Sequence, residues 1–433
     1  MIEEFSFENF RSFKTMTTLM MSAANIKSTP PELDTDNVIN VNNQTQLLKA
    51  KAIYGANASG KSNVVKALAA FIKIVVSSVK EENVLSGTLT PFVLSEETIQ
   101  EPTFFQLVFW QDGVRYRYGF QADNEKIHAE WLYGTPGKRE QPYFTREGNV
   151  VTSINKTHFS EGEKLLKLIE NDEDNPIFRS NSLFLTSVSS FGIGKLSLKL
   201  VRGIGQMYIT VGLEDKDAYE RSKTALESPT MKKEIEFLLS LADTGVERLD
   251  IVETPVSAES QRMDMLNEPK ERRVVTIRDV YNEKQEKVYE IALYFSTAES
   301  EGTKKLFEIS TFIINALREG RTFIIDEFDA RFHPLITQKL VELFNSNINT
   351  KGQLIFVTHD TNLLSSKLLR RDQIDFVEKD KYGASHLFNL LQFKGVRDTD
   401  PFEKNYIRGK YGAIPFVGGL NSLFFECEDD GEA

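Results

Sequence analysis

The chain has 433 residues, of which 40% are hydrophobic and 27% charged, as in an ordinary globular protein with a large core. No apolar run reaches the roughly 18 to 20 residues that span a membrane, and the start Met1-Ile2-Glu3-Glu4 lacks the basic residues of a signal peptide, so we expect a cytoplasmic protein without membrane contact. The net charge of −11 disfavours a surface that coats nucleic acid but allows a local basic groove, and the single cysteine, Cys427, excludes a disulfide framework or a cysteine-cluster zinc site.

The amino-terminal stretch predicts a strand and then a loop. Ile2, Phe5, Phe7 and Phe10 give a partial alternation of apolar and polar residues, as in a half-buried strand. Residues 23–45 combine prolines with several Asn and Asp residues and show little periodicity. They predict a loop between the first strand and the next one.

The next segment carries the strongest motif of the chain. Residues 55–62 fit the G-x-x-x-x-G-K-[ST] pattern of a P-loop, in which glycines let backbone N–H groups turn toward phosphate oxygens. Lys61 would neutralise charge near the β- and γ-phosphates, and the Ser62 hydroxyl would bind Mg²⁺. The motif predicts an ATP site at nine consecutive residues: Gly55, Ala56, Asn57, Ala58, Ser59, Gly60, Lys61, Ser62 and Asn63.

The context of the motif agrees with this interpretation. Residues 47–54 suit a short buried strand, although Lys49 and Lys51 interrupt its apolar pattern, and apolar residues recur at helical spacing from Val64 to Val76. This order places an anionic ligand at a helix N-terminus, where free N–H groups and the helix dipole favour it. The alternative is a glycine- and serine-rich turn before an amphipathic helix.

A β-hairpin is predicted after this helix. Residues 104–110 form an apolar run, Gln111-Asp112-Gly113 is a turn, and residues 114–120 alternate. Arg115 and Arg117 lie beside aromatic residues, as in a nucleic-acid-binding stripe. The alternation already explains those aromatic residues as the buried face of a strand, so we favour the structural interpretation.

The middle of the chain changes character. Residues 156–249 are helix-like and strongly charged but carry no sustained heptads. They predict a compact, mostly helical insertion without a long coiled coil. Alternation returns over residues 250–295, with a turn at Asn282-Glu283.

A buried strand that ends in two acids follows. Residues 322–325 carry no charge, and Asp326 and Glu327 stand directly after them. Asp326 is suited to hold Mg²⁺ through water, and Glu327 to orient and polarise an attacking water, so Glu327 and Lys61 are predicted catalytic residues. The alternative is a surface strand end with two solvated acids.

A third strand leads to a histidine. Residues 354–357 are apolar, and His359 follows them closely. Its ring can hydrogen-bond a γ-phosphate or the attacking water and thereby respond to the nucleotide state, which makes it a third candidate catalytic residue. The alternative is a histidine with a structural role only.

A fourth element lies before the acidic strand. Ser300-Glu301-Gly302-Thr303 opens a helix whose apolar face contains Leu306, Ile309, Ile313 and Ala316. In their order, the glycine loop, this helix start, the acid pair and His359 resemble the head of the ABC-like AAA ATPases of the RloA/AbiLi type and their OLD relatives. The resemblance implies an α/β head with a mixed sheet and a helical insertion.

The resemblance also implies roles for single residues. Ser300 and Gly302 would meet the phosphates bound to a second protomer, whereas Glu301 departs from the pattern because a glycine is usual there. Residues 9–13 are similar to the opening strand of these heads, where a basic residue and a small polar one, here Arg11 and Ser12, approach the nucleotide. For both residues an exposed strand end is an equal alternative.

Further segments extend the likeness toward the end of the chain. Asp329-Ala330-Arg331-Phe332-His333-Pro334 resembles the D-loop and helix start of this class, and residues 370–379 and 409–416 resemble the carboxy-terminal portion of RloA-type proteins. The chain then divides into the amino-terminal half of an ATPase head (1–150), a helical insertion (151–250) and the carboxy-terminal half of the head (251–433).

The resemblance implies an ATP-switched homodimer or higher oligomer that controls a separate effector, a nuclease or a toxin, in bacterial antiphage defence. One alternative is a nuclease in its own right, which the polar-loop setting of Asp398 and Asp400 and the roughly seventy residues after His359 disfavour. Another is a repair ATPase that clamps DNA, which the net charge disfavours. Direct nucleic-acid binding stays open.

Overall fold

The computed structural model describes residues 1–168, 179–212, 216–242, 245–255 and 270–414. Among these residues the strands form four sheets, and two large sheets build the body of the protein. Cys427 and the last two residues of the 409–416 segment lie outside the described residues.

The first third of the chain is mainly strands. It contains β1 (Ile2–Glu8), β2 (Thr17–Met20), α1 (Leu33–Asp36), β3 (Val38–Asn40), β4 (Gln46–Leu48), β5 (Ala50–Gly55), α2 (Lys61–Ser77), α3 (Glu96–Ile99), β6 (Thr103–Gln111), β7 (Val114–Ala122), β8 (Ile127–Thr135), β9 (Gln141–Glu147) and β10 (Val150–Ile154). The next part is mainly helices, with α4 (Ser160–Leu168), α5 (Phe184–Ser190), α6 (Leu196–Gly205), β11 (Tyr208–Thr210), α7 (Lys216–Ala225) and α8 (Pro229–Leu241).

The last part mixes both kinds of element. It contains β12 (Arg248–Pro255), β13 (Lys270–Tyr281), β14 (Lys287–Tyr294), α9 (Phe295–Ala298), α10 (Glu301–Glu319), β15 (Thr322–Ile325), α11 (Pro334–Asn345), β16 (Gln353–Val357), β17 (Ile374–Lys379), β18 (Ser385–Asn389) and α12 (Phe402–Ile407). None of the described helices is both long and apolar enough to cross a membrane.

The first large sheet is antiparallel, in the order β10-β9-β8-β7-β6-β1-β2. It contains the predicted hairpin, whose two-residue turn has φ values of 49° at Asp112 and 77° at Gly113, as hairpin turns require. Arg115 forms an ion pair with Glu3, and Arg117 forms one with Glu140. These contacts agree with a structural role for both arginines.

The second large sheet has the order β11-β15-β16-β5-β17-β18, and it is parallel except for β18. The prediction of an α/β fold with a mixed sheet is confirmed. Because β5, β15 and β16 are parallel neighbours, the loops that follow them lie at the same edge of the sheet. This edge holds the glycine loop, the acid pair and His359.

Helix α2 is buried between the two large sheets. Phe71 stacks on Phe120 with ring centres 5.6 Å apart and meets Phe5 edge-on at 5.7 Å, both from the antiparallel sheet. The same core contains Ile324 and Ile355 from the parallel sheet. Each such side chain contributes about 1.5–3 kcal/mol by burial, so α2 fixes the glycine loop firmly in the body of the protein.

Helix α10 covers the other face of the parallel sheet. Its apolar residues Leu306, Ile309 and Ile313 share a second core with Phe323 and Ile325. Successive residues of a strand point to opposite faces, which is why Ile324 packs in the first core and its two neighbours in the second. Helices α2 and α10 therefore lie on opposite faces of the sheet.

The segment before the glycine loop differs from the single strand that its spacing predicts. It forms two strands, because β4 pairs with β3 whereas β5 pairs with β16 and β17. Lys49, at the break, donates a hydrogen bond to the Ser346 carbonyl at 2.9 Å, and Lys51 lies 3.1 Å from the Asp375 carboxylate in a buried ion pair. Both lysines have partners far away in sequence, which local spacing cannot reveal. The loop predicted over residues 23–45 also contains α1 and β3.

The mostly helical middle part is fastened to both sheets. Its strand β11 pairs in parallel with β15, and the backbone N–H of Asp326 donates to the Thr210 carbonyl at 3.1 Å. In the antiparallel sheet, the buried Glu130 carboxylate accepts hydrogen bonds from the N–H groups of Phe184 and Leu185 at the start of α5. The middle part thus reaches the strand that carries the acid pair.

Candidate nucleotide-binding site

The glycine loop is held in a conformation that needs its two glycines. Gly60 has a φ of 109°, and a Cβ atom there would collide with Ser385 Oγ and lie 2.7 Å from Ser12 Oγ. A Cβ atom on Gly55 would collide with the Val377 carbonyl of the neighbouring strand. The loop is therefore packed against the sheet edge, while Asn57 and Ala58 at its tip are exposed.

Lys61 lies at the start of α2 with its ammonium turned back onto the loop. Its Nζ atom donates hydrogen bonds to the Gly55 and Ala56 carbonyls, both at 2.8 Å. Burial lowers the pKa of Lys61 to about 8, and the carboxylates of Asp326 and Asp329 only partly oppose this shift. Within the described part of the chain, the Lys61 ammonium is thus hydrogen-bonded to backbone carbonyls and forms no ion pair with a carboxylate.

The predicted metal-binding residues lie together. Asp326 Oδ1 accepts two hydrogen bonds, one from Ser62 Oγ and one from the Glu327 N–H, both at 3.1 Å. Asp326 is buried, whereas Glu327 is partly exposed and has a φ of 52°. A left-handed backbone costs a non-glycine residue about 1–2 kcal/mol and turns the chain sharply after β15. Glu327 consequently points in a different direction from the strand residues before it.

His359 lies close to the same charges. Burial lowers its pKa below the ordinary value of 6.5, with a further contribution from the positive charge of Lys61, and the nearby carboxylates including Glu327 oppose the shift. Its backbone N–H donates to Asp329 Oδ1 at 3.0 Å, and the Thr358 hydroxyl donates to the same oxygen at 2.6 Å. The ring is therefore neutral at pH 7 and keeps one N–H donor and one acceptor nitrogen.

A polar cluster behind the loop contains Ser385, which was not predicted from the sequence. Ser385 Oγ donates to the Ser59 carbonyl at 2.6 Å and lies 2.8 Å from Ser12 Oγ, which also accepts a hydrogen bond from Asn63 Nδ2 at 2.8 Å. The Ser385 N–H donates to the Ser12 carbonyl. No sequence pattern singles out Ser385, because it stands 326 positions from Ser59 and reaches the loop only through the order of the sheet strands.

Arg11 stands beside this cluster but on the surface. Its backbone has a φ of 51°, its N–H donates to the Thr90 carbonyl, and its guanidinium lies 5.6 Å from the centre of the Phe10 ring. The neighbouring Ser12, not Arg11, forms the hydrogen bonds to Ser385 and Asn63 described above. A role for Arg11 at the nucleotide stays a prediction.

The helix start at Ser300 is well formed. Ser300 is the N-cap of α10, and its Oγ accepts a hydrogen bond from the Thr303 N–H at 3.2 Å. A Cβ atom on Gly302 would lie 2.6 Å from the Arg331 carbonyl, so a glycine is required for this close approach. The carboxylate of Glu301 lies 2.9 Å from Lys304 Nζ and 3.1 Å from Arg331 Nη1.

The start of α10 projects beyond the edge of the sheet. Helix α10 is 19 residues long, about 28 Å, and it runs back along β15, which has four residues and spans about 13 Å. The turn at Gly320 and Arg321 that joins them is short, so the excess length lies at the Ser300 end. Ser300 and Gly302 thus stand past the carboxyl edge, on the face opposite α2 and its glycine loop.

The residues at the glycine loop fit a bound nucleoside triphosphate. Ser59 Oγ is buried and has no hydrogen-bond partner among the described residues. Lys61 can exchange two carbonyl partners for phosphate oxygens, and the Ser62 hydroxyl and the Asp326 carboxylate are the hard oxygen donors that Mg²⁺ prefers. A triphosphate with Mg²⁺ would satisfy all four groups.

A protein-family model described as "AAA domain, putative AbiEii toxin, Type IV TA system" matches residues 52–365. The matched range begins in β5 and ends just after the His359 strand, so it includes the glycine loop, the acid pair and His359. No curated protein matches the chain.

Three solved structures are similar over most of the chain at low identity. The SMC head domain from Thermotoga maritima is 12% identical, with a TM-score of 0.41 over 90% of this chain and 98% of that one. An SmcHead bound to the C-winged helix domain of ScpA is 13% identical, with a TM-score of 0.40 over 90% and 97%. An Smc head domain bound to the C-terminal domain of ScpA derived from Pyrococcus furiosus is 14% identical, with a TM-score of 0.38 over 90% and 96%.

Proposed function

The chain belongs to the AAA-domain family whose model matches more than half of it, and we propose on this basis that it is an ATPase of the RloA/AbiLi type that acts as a nucleotide-switched regulator of a separate effector protein in bacterial phage defence. In this proposal ATP is bound and hydrolysed at sites shared by two copies of the chain. The family description names a toxin and a type IV TA system, which supports a role in defence for the family as a whole.

The observation that carries the proposal is the placement of α10 relative to the glycine loop. Helix α10 and helix α2, which follows the glycine loop, pack in different cores on opposite faces of the sheet. We infer that Ser300 and Gly302 would not contact a phosphate bound by Lys61 of their own chain. A second copy related by a two-fold axis would present these two residues to it, and the first copy would return the same contact.

The described side chains suit the chemistry of ATP hydrolysis. Lys61 would leave the Gly55 and Ala56 carbonyls for phosphate oxygens, and Ser62 and Asp326 would hold Mg²⁺, which neutralises phosphate charge when bound. The Glu327 carboxylate would orient a water and accept its proton as the new bond to the γ-phosphorus forms and the bond to the β,γ-bridging oxygen breaks. Neutral His359 would donate one hydrogen bond to the γ-phosphate.

Hydrolysis then acts as a switch. The two copies close when the helix starts of both chains meet the bound phosphates, and they separate after hydrolysis, since the contact depends on the γ-phosphate. An effector that binds the closed and open forms with different affinity is thereby controlled by the nucleotide state.

Two measurements test this proposal. The Glu327→Gln chain should be a dimer in ATP and Mg²⁺ and a monomer without nucleotide, as measured by light scattering after gel filtration, and adding Ser300→Arg should abolish the ATP-dependent dimer. The product of the neighbouring gene should co-purify with the chain in one nucleotide state only. An oligomeric state that changes neither with ATP nor with Ser300→Arg would refute the shared sites. Equal co-purification in every nucleotide state would refute the switch.

A further inference from the structure

Glu301 stands at a position where its charge would oppose a phosphate, and the structure shows how that charge is balanced. Its carboxylate is exposed and contacts Lys304 on the same helix and Arg331 in the turn after the acid pair. The hydrogen bond from Lys304 is the main cause of the lowered pKa of Glu301, with Arg331 as a smaller contribution. One negative and two positive charges leave this helix start with a net positive charge.

Arg331 is joined to α10 in a second way. Its backbone has a φ of 71°, which a non-glycine residue rarely adopts, and its carbonyl is packed onto Gly302. The side-chain contact to Glu301 and the backbone contact to Gly302 therefore fix the position of residue 331 relative to the first turn of α10.

The other end of the same turn is fixed to the nucleotide site. Asp329 Oδ1 accepts hydrogen bonds from the Thr358 hydroxyl and the His359 N–H, and the Asp329 charge acts on both Lys61 and His359. Only Ala330 separates Asp329 from Arg331. A shift of this turn on nucleotide binding would move Arg331 and, through it, the start of α10.

We infer that Glu301 is a positioning residue whose ion pair with Arg331 couples the two ATP sites of the dimer. The inference rests on the proposed function, because the start of α10 serves the site of the other chain. Nucleotide bound at one glycine loop fixes the positions of Asp329 and Arg331. Arg331 then orders the helix start of the same chain through Glu301. That helix start is presented to the second ATP site. The second ATP then binds more tightly than the first, which is positive cooperativity.

The test compares four variants in steady-state hydrolysis over a wide range of ATP concentrations. We expect a Hill coefficient between about 1 and 2 for the unaltered chain and a lower value for Glu301→Gln, Arg331→Gln and the double variant, which should lower it equally since each removes the same link. Lys304→Gln is the matched control, because it removes the other partner of Glu301 and leaves the link to the turn. It should keep the Hill coefficient of the unaltered chain, and Glu301→Asp should restore part of it.

Failure of the coupling role and failure of the proposed function give different results in these experiments. ATP-dependent dimers of the unaltered chain with a Hill coefficient of 1, or Glu301→Gln and Arg331→Gln chains that stay as cooperative as the unaltered chain, would overturn the coupling role alone. A Hill coefficient that falls equally in Lys304→Gln would also overturn it. An unaltered chain that binds ATP without forming dimers would refute the proposed function itself.

Discussion

The lowered pKa of Lys61 predicts that nucleotide affinity falls at mildly alkaline pH. The ammonium is the form that binds phosphate, and a lysine with its ordinary pKa of 10.5 would stay charged through pH 9. With a pKa of about 8, about 90% of the free protein carries the charge at pH 7 and about 10% at pH 9. If only the charged form binds, the apparent Kd rises about tenfold between these two pH values.

The assay is a titration with a fluorescent ATP analogue and Mg²⁺ on the Glu327→Gln chain, which we predict to hydrolyse ATP slowly and which leaves the groups that shift the Lys61 pKa in place. His359 does not interfere, because its pKa is lowered and it is neutral over the whole range. Lys61→Arg is the control, since a guanidinium stays charged above pH 12 and its residual affinity should not change with pH. A Kd that is constant from pH 7 to 9, or that rises equally with Lys61→Arg, would refute the reasoning.

Three further predictions concern single residues of the described structure. Glu327→Gln should lower the rate of phosphate release about 10²- to 10⁴-fold while ATP affinity changes little, and a rate near that of the unaltered chain would exclude Glu327 as the water-orienting base. Ser385→Ala should weaken ATP binding about fivefold in calorimetry, because the buried Ser59 carbonyl loses its partner at a cost of about 1 kcal/mol, whereas the exposed Ser86→Ala should have no effect. Lys51→Met should lower the free energy of unfolding in urea by about 3–5 kcal/mol, because it leaves the Asp375 carboxylate buried without its ion pair. Adding Asp375→Asn should recover part of this loss. An unchanged unfolding midpoint would contradict the role of the pair.

Much of the nucleotide site is visible in the sequence because it is local. The spacing from Gly55 to Ser62 and the acid pair after an apolar strand are short patterns, and parallel strand order then brings Ser62 within hydrogen-bonding distance of Asp326. The hairpin at Asp112 is predicted for the same reason, since its turn and its alternation are local signals.

The contacts that support the site could not be predicted because they join distant segments. Ser385 reaches Ser59 only through the order of the strands, and the partners of Lys49 and Lys51 lie about 300 positions away along the chain. The ion pair between Glu301 and Arg331 belongs to the same group. From the sequence Glu301 is only an unfavourable charge in a phosphate-binding segment, whereas the structure places two cations beside it.

The claim that each ATP site is built from two chains is tested most directly by mixing two inactive variants. Lys61→Ala removes the ammonium that we propose binds phosphate, and Ser300→Arg blocks the helix start that we propose serves the other chain, so each variant alone should hydrolyse no ATP. Mixed in equal amounts with random exchange, half of the dimers would contain one intact site, which restores up to about a quarter of the activity of the unaltered chain. Absence of any recovery at every mixing ratio, or full activity of Ser300→Arg alone, would contradict shared sites.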